Sequence, residues 1–422
     1  MTVIDLGVVG TVRDGRPAPR PRRFLVLGRL LAVACLLTVT ASVPPRPDPF
    51  TALWSIPLND GPDQFQTAED AIHVLHHGPP NQLITYSLRT GAVRSTVTMP
   101  DEARIISETA GDIVLIALGA TSPPFFGRET VAVDTVTGRQ LWRLPGAVTG
   151  FADGLVLLSE WGPDARTVRT LRVVGLRDGV QAWSRSAPYG WVSTVTDKGR
   201  IITVLGDGHA EVRTLADGRL VAQGALPWTG ISRINARDGI LVVENYDDVR
   251  QQNKVTVFDL ATMRPQWAAV ALGNGGIVDC GPVLCGYDGT GVSGWDRATG
   301  IQRWYKARTN VIYPLDGGRV GTSVGELGTD ELVVLSAESG AVVSRTPRAK
   351  MVPSHGSATV YVLATTVTPF AQTAVWRLDQ HTGRPTLLGL IGQLMDYSCD
   401  SRAELLICAT ADARLVTLAY AG

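Results

Sequence analysis

The sequence predicts an all-β chain of short antiparallel sheets arranged in a ring, a β-propeller, and three observations predict it. A turn motif recurs about every 42 residues, two further short apolar runs precede each copy, and no helical period of apolar residues occurs after residue 43. Composition agrees. Of 422 residues 45% are hydrophobic and 18% charged, and Gly (45) with Pro (25) supply about one residue in six, as many tight turns require. The 39 basic and 39 acidic side chains cancel, so there is no basic footprint and no nucleic-acid partner is expected. Six His and five Cys across the chain argue against a metal-rich protein.

The first fifty residues address the membrane. Residues 24–43 (FLVLGRLLAVACLLTVTASV) are long enough to span a bilayer as one helix, carry a single charge at Arg29, and end at Pro44-Pro45, which cannot extend a helix. Arg13, Arg16, Arg20, Arg22 and Arg23 precede them, so the positive-inside bias puts residues 1–23 in the cytoplasm as a basic tail. Arg29 lies close enough to the headgroups to snorkel. Residues 44–50 then form a linker, and 51–422 lie outside the plasma membrane. A cleaved signal peptide ending at Val39-Thr40-Ala41 is the alternative to a retained anchor. Lipoprotein processing at Cys35 and twin-arginine export at Arg22-Arg23 fit less well, and every one of these routes exports the body of the chain.

The repeat is clearest in DTVTGRQLW at Asp134–Trp142, DLATMRPQW at Asp259–Trp267 and DRATGIQRW at Asp296–Trp304. Five looser copies occupy the same slot at Ser87–Gly91, Gly175–Gly179, Thr214–Gly218, Ser336–Gly340 and Asp379–Gly383. Seven of the eight carry Gly at the fifth position, including Gly138, Gly179, Gly300 and Gly383, with Met263 the exception. A strand, a turn closed by a residue at φ > 0, and a returning strand account for the pattern, with Asp134, Asp296 or Asp379 accepting backbone N–H groups of the turn. Trp142, Trp183, Trp267 and Trp304 follow the fifth position by four residues, and Trp54 occupies a comparable strand near the start. Such recurrent Trp residues are expected to pack between neighbouring units rather than face a cofactor. With two more strands upstream, each unit is a four-stranded sheet. The literal tally over residues 51–422 is about nine units if Thr51–Leu58 supplies the outer strand of a last unit drawn from Gln393–Tyr420. Because propellers usually have four to eight blades, eight is the expected number.

The string Asp-x-x-Thr-Gly-x-x-x-Trp, as in Asp134–Trp142 and Asp296–Trp304, resembles the repeat of quinoprotein-type (PQQ-like) β-propellers over nearly everything after residue 50. The resemblance implies a fold shared by alcohol dehydrogenases carrying pyrroloquinoline quinone, by the outer-membrane assembly lipoprotein of Gram-negative bacteria and by ectodomains of bacterial membrane proteins. In the dehydrogenases it would also imply an adjacent Cys-Cys disulfide under the quinone and a calcium held by acidic and amide side chains. No Cys-Cys pair occurs in this sequence, so no cofactor is expected. The chain looks more like the non-catalytic, membrane-tethered members, whose propellers act as binding platforms. Arg outnumbers Lys by 35 to 4, a bias typical of high-GC bacterial genomes.

Beyond the membrane segment the Cys residues are Cys280, Cys285, Cys399 and Cys408, an even number in an oxidising compartment. Of three connectivities, 280–285 with 399–408 is favoured, because each pair brackets the first hairpin of a unit and would staple two adjacent strands. Other patterns yield to plainer readings. Gly289-Thr-Gly291-Val-Ser-Gly294 matches a dinucleotide fingerprint by letter but runs into a hairpin instead of a helix. His73, His76 and His77 lack a third ligand at defined spacing and read as core or solvated side chains. Glu244-Asn-Tyr-Asp247-Asp248 lacks the oxygen spacing of a calcium loop and reads as a solvated acidic loop. Loops 119–128, with Pro123-Pro124-Phe125-Phe126, and 247–253 are longer than their neighbours and should project from one rim.

No nucleophile elbow, P-loop or His-Glu-x-x-His stands out, so no catalytic, cofactor-binding or metal residue is assigned. The expected function is a membrane-tethered, extracytoplasmic scaffold of the bacterial envelope, non-enzymatic, binding a protein or envelope component through a propeller face. The alternative is a quinoprotein-like dehydrogenase or other enzyme with its site in the central channel.

Overall fold

The computed structural model describes residues 50–420 except 60–62, 120–127, 163–166, 230–231, 248, 250–251, 273–276, 289, 326–330, 353–358 and 367–371. The expected membrane segment at 24–43, the tail before it and residues 44–49 of the linker lie outside these residues; Phe50, expected in the linker, begins a strand. Among the described residues there is no helix, and so none long and apolar enough to cross a membrane.

Among the described residues, thirty-five strands pair antiparallel into seven four-stranded sheets and one seven-stranded sheet. The larger sheet is two units joined by one 17-residue strand, Gln181–Asp197. Its first part pairs with Val168–Gly175, as Arg185 does with Leu171, and its second with Arg200–Leu205, as Val195 does with Ile202. Counted by unit there are nine blades. Blades 1 to 8 span 64–99, 103–145, 147–187, 191–225, 232–272, 277–307, 313–346 and 349–391. Blade 9 consists of Leu394–Arg402, Leu405–Thr410 and Arg414–Tyr420, with Phe50–Pro57 added on its outer edge.

The expectation of eight blades is therefore corrected to nine. Each marker turn joins the third and fourth strands of one blade, and blade 9 has no such turn because those strands come from opposite ends of the chain. Phe50 sits opposite Tyr420 and Pro57 opposite Arg414. This pairing supplies the partner that the Arg414–Tyr420 edge would otherwise lack.

Nine apolar clusters, one between each successive pair of blades, close the circle. Leu75 and Leu83 of blade 1 meet Val114 and Val131 of blade 2. Round the ring, Ile72 and Val74 of blade 1 meet Leu405 and Ile407 of blade 9. Alternation explains this: Ile72 and Val74 point to one neighbour, Leu75 to the other, so every strand in the middle of a blade is buried on both faces. The first strands of successive blades adjoin one another, as Gln64–Thr67 does Ala103–Ala110, and line the inside of the ring.

Antiparallel connectivity sorts the loops. Turns between first and second strands share one rim with the marker turns; the connections between second and third strands lie on the other, where Gly119 and Arg128 mark the ends of the expected loop 119–128, whose residues 120–127 lie outside the described residues. Phe50 begins its strand on the marker-turn rim, where Tyr420 ends.

Candidate functional site

The marker turns are built by hydrogen bonds the sequence specifies. In all eight the fifth residue's N–H returns to the first residue's carbonyl, as Gly138 to Asp134 (2.9 Å), Gly300 to Asp296 (2.9 Å) and Gly383 to Asp379 (2.7 Å). Met263, the one non-glycine, makes the same bond to Asp259 at φ 55°. Where the first residue is Asp, its Oδ1 accepts from the turn. Asp134 takes the N–H of Val136 and Thr137, Asp296 those of Ala298 and Thr299, and Asp379 those of His381 and Thr382, all at 2.8–3.0 Å. The Thr299 N–H first, then the Arg303 and Thr299 side chains, hold the Asp296 carboxyl down at about 2. Thr137 does the same for Asp134 and Thr382 for Asp379, each lying below the usual carboxylate range.

Each recurrent Trp docks on the turn of the next blade. Indole N–H groups donate to backbone carbonyls there: Trp54 to Leu88 (3.0 Å), Trp142 to Leu176 (2.8 Å), Trp183 to Leu215 (2.7 Å), Trp267 to Arg297 (2.8 Å) and Trp304 to Ala337 (2.7 Å). The ring then covers that turn's glycine: Gly91, Gly179, Gly218, Gly300 and Gly340 respectively. These site residues are thus tied up in holding the ring together.

The other interfaces use substitutes that the Trp spacing did not flag. Ser95 and Ser344 occupy the Trp slot of blades 1 and 7, and their hydroxyls donate to Thr135 (2.6 Å) and Gly383 (2.5 Å) carbonyls. Blade 4 has Ala222 in the slot, and the opposing turn of blade 5 carries Met263, which fills the space and is buried with Val212 and Phe258. The Trp that is missing on one side is replaced by the bulk of a side chain on the other. Blade 8 reaches blade 9 through the Tyr361 hydroxyl, which donates to Glu404 O at 2.8 Å.

The Cys residues pair as Cys280–Cys285 in blade 6 and Cys399–Cys408 in blade 9. Cys399 and Cys408 stand directly opposite one another in adjacent strands. Neither pair consists of adjacent residues, and no three His, Cys, Asp or Glu converge among the described residues. These donors do not fit the quinone and calcium set that the PQQ-like resemblance would require.

The other sequence candidates are dispersed. His73 is fully buried, with Nδ1 3.1 Å from Thr85 Oγ1, and burial first, then Arg94, lowers it to about 4. His76 pairs with Asp63 at 2.7 Å. Gly291–Asp296 is a strand, so no helix follows the fingerprint-like glycines; Gly291 packs on Tyr305 and Gly294 on Trp304, while Gly289 lies outside the described residues. The acidic stretch is not a solvated loop: Ile240–Asp247 is a strand in which Glu244 is buried. Glu244 accepts from Ile277 N–H (3.0 Å) and Asn253 Nδ2 (3.2 Å), tying blade 5 to blade 6, and burial pushes its carboxyl up. Strand register hid this, because the apolar run Ile240–Val243 continues through polar residues.

The rim opposite the marker turns carries the connections between second and third strands. On it, at blade 2, lies an open cleft of about 560 Å³ lined by Leu118, Gly119, Arg128, Glu129, Arg143 and Glu102. Arg128 N–H donates to Leu118 O (2.8 Å) and Gly119 N–H to Glu102 O (2.9 Å), fixing the base of loop 119–128. Arg143 Nε donates to Glu129 at 2.8 Å, so charges in the cleft are largely balanced. The aromatic residues of that loop, Phe125 and Phe126, lie outside the described residues.

Among solved structures, a eukaryotic initiation factor is similar over 81% of this chain and 88% of its own, with 11% identity and a TM-score of 0.52. That likeness shows the fold alone. BamB from Moraxella catarrhalis is similar over 88% of this chain and 98% of its own, at 13% identity and a TM-score of 0.46. The computationally designed Ika8 protein covers 86% and 98%, at 11% identity and a TM-score of 0.49. No curated protein matches the chain. The family model described as outer membrane protein assembly factor BamB matches residues 80–306, and the chain belongs to that family.

Proposed function

We propose that the chain is a non-catalytic binding platform of the bacterial cell envelope, tethered to the plasma membrane by residues 24–43 and meeting a protein or envelope component through its loop rim. One observation carries the reading. The repeated Asp residues are consumed in building the marker turns, and the Gly and Trp residues in joining blade to blade, which leaves the opposite rim, with the cleft at blade 2, as the surface for a partner. No quinone and no metal enter this reading, since the cysteine pairing and the scattered carboxylates do not suit them.

The test is photo-crosslinking in intact cells from a probe placed at Arg128, with the same probe at Val136 on the marker-turn rim for comparison. The reading expects a discrete protein or envelope product from Arg128 and not from Val136. Reduction of an electron-accepting dye by the purified chain after addition of pyrroloquinoline quinone and calcium would overturn it in favour of an enzyme.

A further inference from the structure

A second cavity lies away from the loop-rim cleft, between blades 3 and 4. It is a half-enclosed pocket of about 170 Å³, walled by Trp191 and Leu205 and faced by Arg185, Thr203, His209 and Glu211. A water molecule's share of liquid is about 30 Å³, so the space equals roughly five or six waters, the size of a small organic molecule.

The register of blade 4 explains the polar side. Thr194, Thr203 and Glu211 are directly opposite one another on three adjacent strands, so their side chains share one face, the one turned toward blade 3. The rest of that face is apolar: Trp191 and Ile201 pack on Leu157, Leu171 and Val173. A polar row in an apolar interface is costly unless each group finds a partner. Thr203 is 2% exposed, and neither its hydroxyl nor that of Thr194 has a hydrogen-bond partner in the protein. Glu211 is satisfied: Arg185 pairs with it at 2.6 Å and Arg213 at 3.1 Å. Burial works to raise its carboxyl, but those two guanidiniums outweigh burial and hold it below the usual range. Arg185, with its side chain 36% exposed, stands at the mouth.

We infer that this pocket binds a small neutral polyol. Hydroxyl groups both donate and accept, which matches a site where a carboxylate, a guanidinium, an imidazole and a free hydroxyl face one another. An anion would meet the Glu211 carboxylate, and the nearest guanidinium is already committed to it. Trp191 and Leu205 give the C–H face of a polyol an apolar wall. The pocket shares the loop rim with the blade 2 cleft but uses none of the cleft residues, so failure of one leaves the other standing.

The experiment is ligand-observed NMR titration of the full-length chain in detergent with glycerol, erythritol, ribose, phosphate and acetate. The wild type is compared with Thr203→Val and Thr203→Ser. At least one polyol should saturate, and Thr203→Val should weaken it about tenfold, the value of one hydrogen bond. Thr203→Ser, which keeps the hydroxyl, should bind like the wild type, and Thr203→Val without ligand should unfold at the wild-type temperature or higher, because the hydroxyl it removes is buried without a protein partner. Saturation by no polyol, equal binding by Thr203→Val, or saturation by phosphate or acetate instead would each overturn the inference.

Discussion

Trp142 lies against Gly179 of the next blade: the indole N–H donates to Leu176 O at 2.8 Å, and a methyl group at Gly179 would stand 2.7 Å from indole Cγ. The glycine is required twice over, because it sits at φ 66° as well as under the ring. Trp142→Ala should cost about 3–5 kcal/mol, as large-to-small core changes do. Gly179→Ala should cost more than the roughly 1 kcal/mol of a left-handed alanine, since the ring must also move. In the double variant the clash disappears, so urea unfolding should give a total smaller than the sum by about 1 kcal/mol or more. Strict additivity would mean the two residues do not touch.

Ala222 and Met263 reverse that arrangement between blades 4 and 5. Ala222→Trp alone should destabilise by about 1–3 kcal/mol through overpacking, because Met263 already fills the slot. Met263→Gly alone should cost about 2–5 kcal/mol through the cavity it leaves. Together they rebuild the Trp-on-glycine pairing of the neighbouring interfaces, and the double variant should unfold at a higher temperature than either single one. A double variant less stable than both would show that the slot does not accept an indole.

Acid should act through His73 in a window of its own. Its folded pKa of about 4 lies below the unfolded value of 6.5, so the unfolded chain binds the extra proton. Stability is therefore unaffected above 6.5, falls as pH drops from 6.5 to 4, and by pH 4 has lost about 3 kcal/mol. Asp296 acts lower: with a folded pKa of about 2, the stability it adds is present above 3.8 and is lost as pH falls toward 2. Glu244 works in the opposite sense above 4.5, because its carboxyl is raised by burial. Chemical denaturation of wild type and His73→Gln from pH 7 to 4 isolates the histidine. The difference between them should shrink by a few kcal/mol on acidification, and a constant difference would contradict the assignment.

The ninth blade depends on Phe50–Pro57. Removing residues 50–57 deletes Trp54, which docks on Leu88 and Gly91, and leaves Arg414–Tyr420 as a bare edge next to an apolar face. The truncated chain should unfold at least about 10 °C lower and self-associate, as exposed edges do. Light scattering and calorimetry check this; a monodisperse chain with an unchanged midpoint would show that the strand is dispensable.

These residues also show how far the sequence could be read. Turns such as Asp134–Gly138 were legible because a positive φ and an Asp acceptor restrict the residue types that fit. Blade 9 has no such turn; the length tally still reached nine with Thr51–Leu58 as its outer strand, and the usual limit of eight blades lowered the expected number. Interfaces without Trp were illegible for a different reason: Ser95, Ser344 and Met263 solve the same contact with unrelated chemistry. The pocket beside Thr203 depends on which of two faces each side chain takes, and a one-residue uncertainty in register reverses that choice.

A crystal structure of the full-length chain viewed down the ring axis tests the central claim most directly. Nine four-stranded sheets closed by Phe50–Pro57 against Arg414–Tyr420 are the predicted result. Eight sheets, or an open arc in which Arg414–Tyr420 has no partner strand, would contradict it.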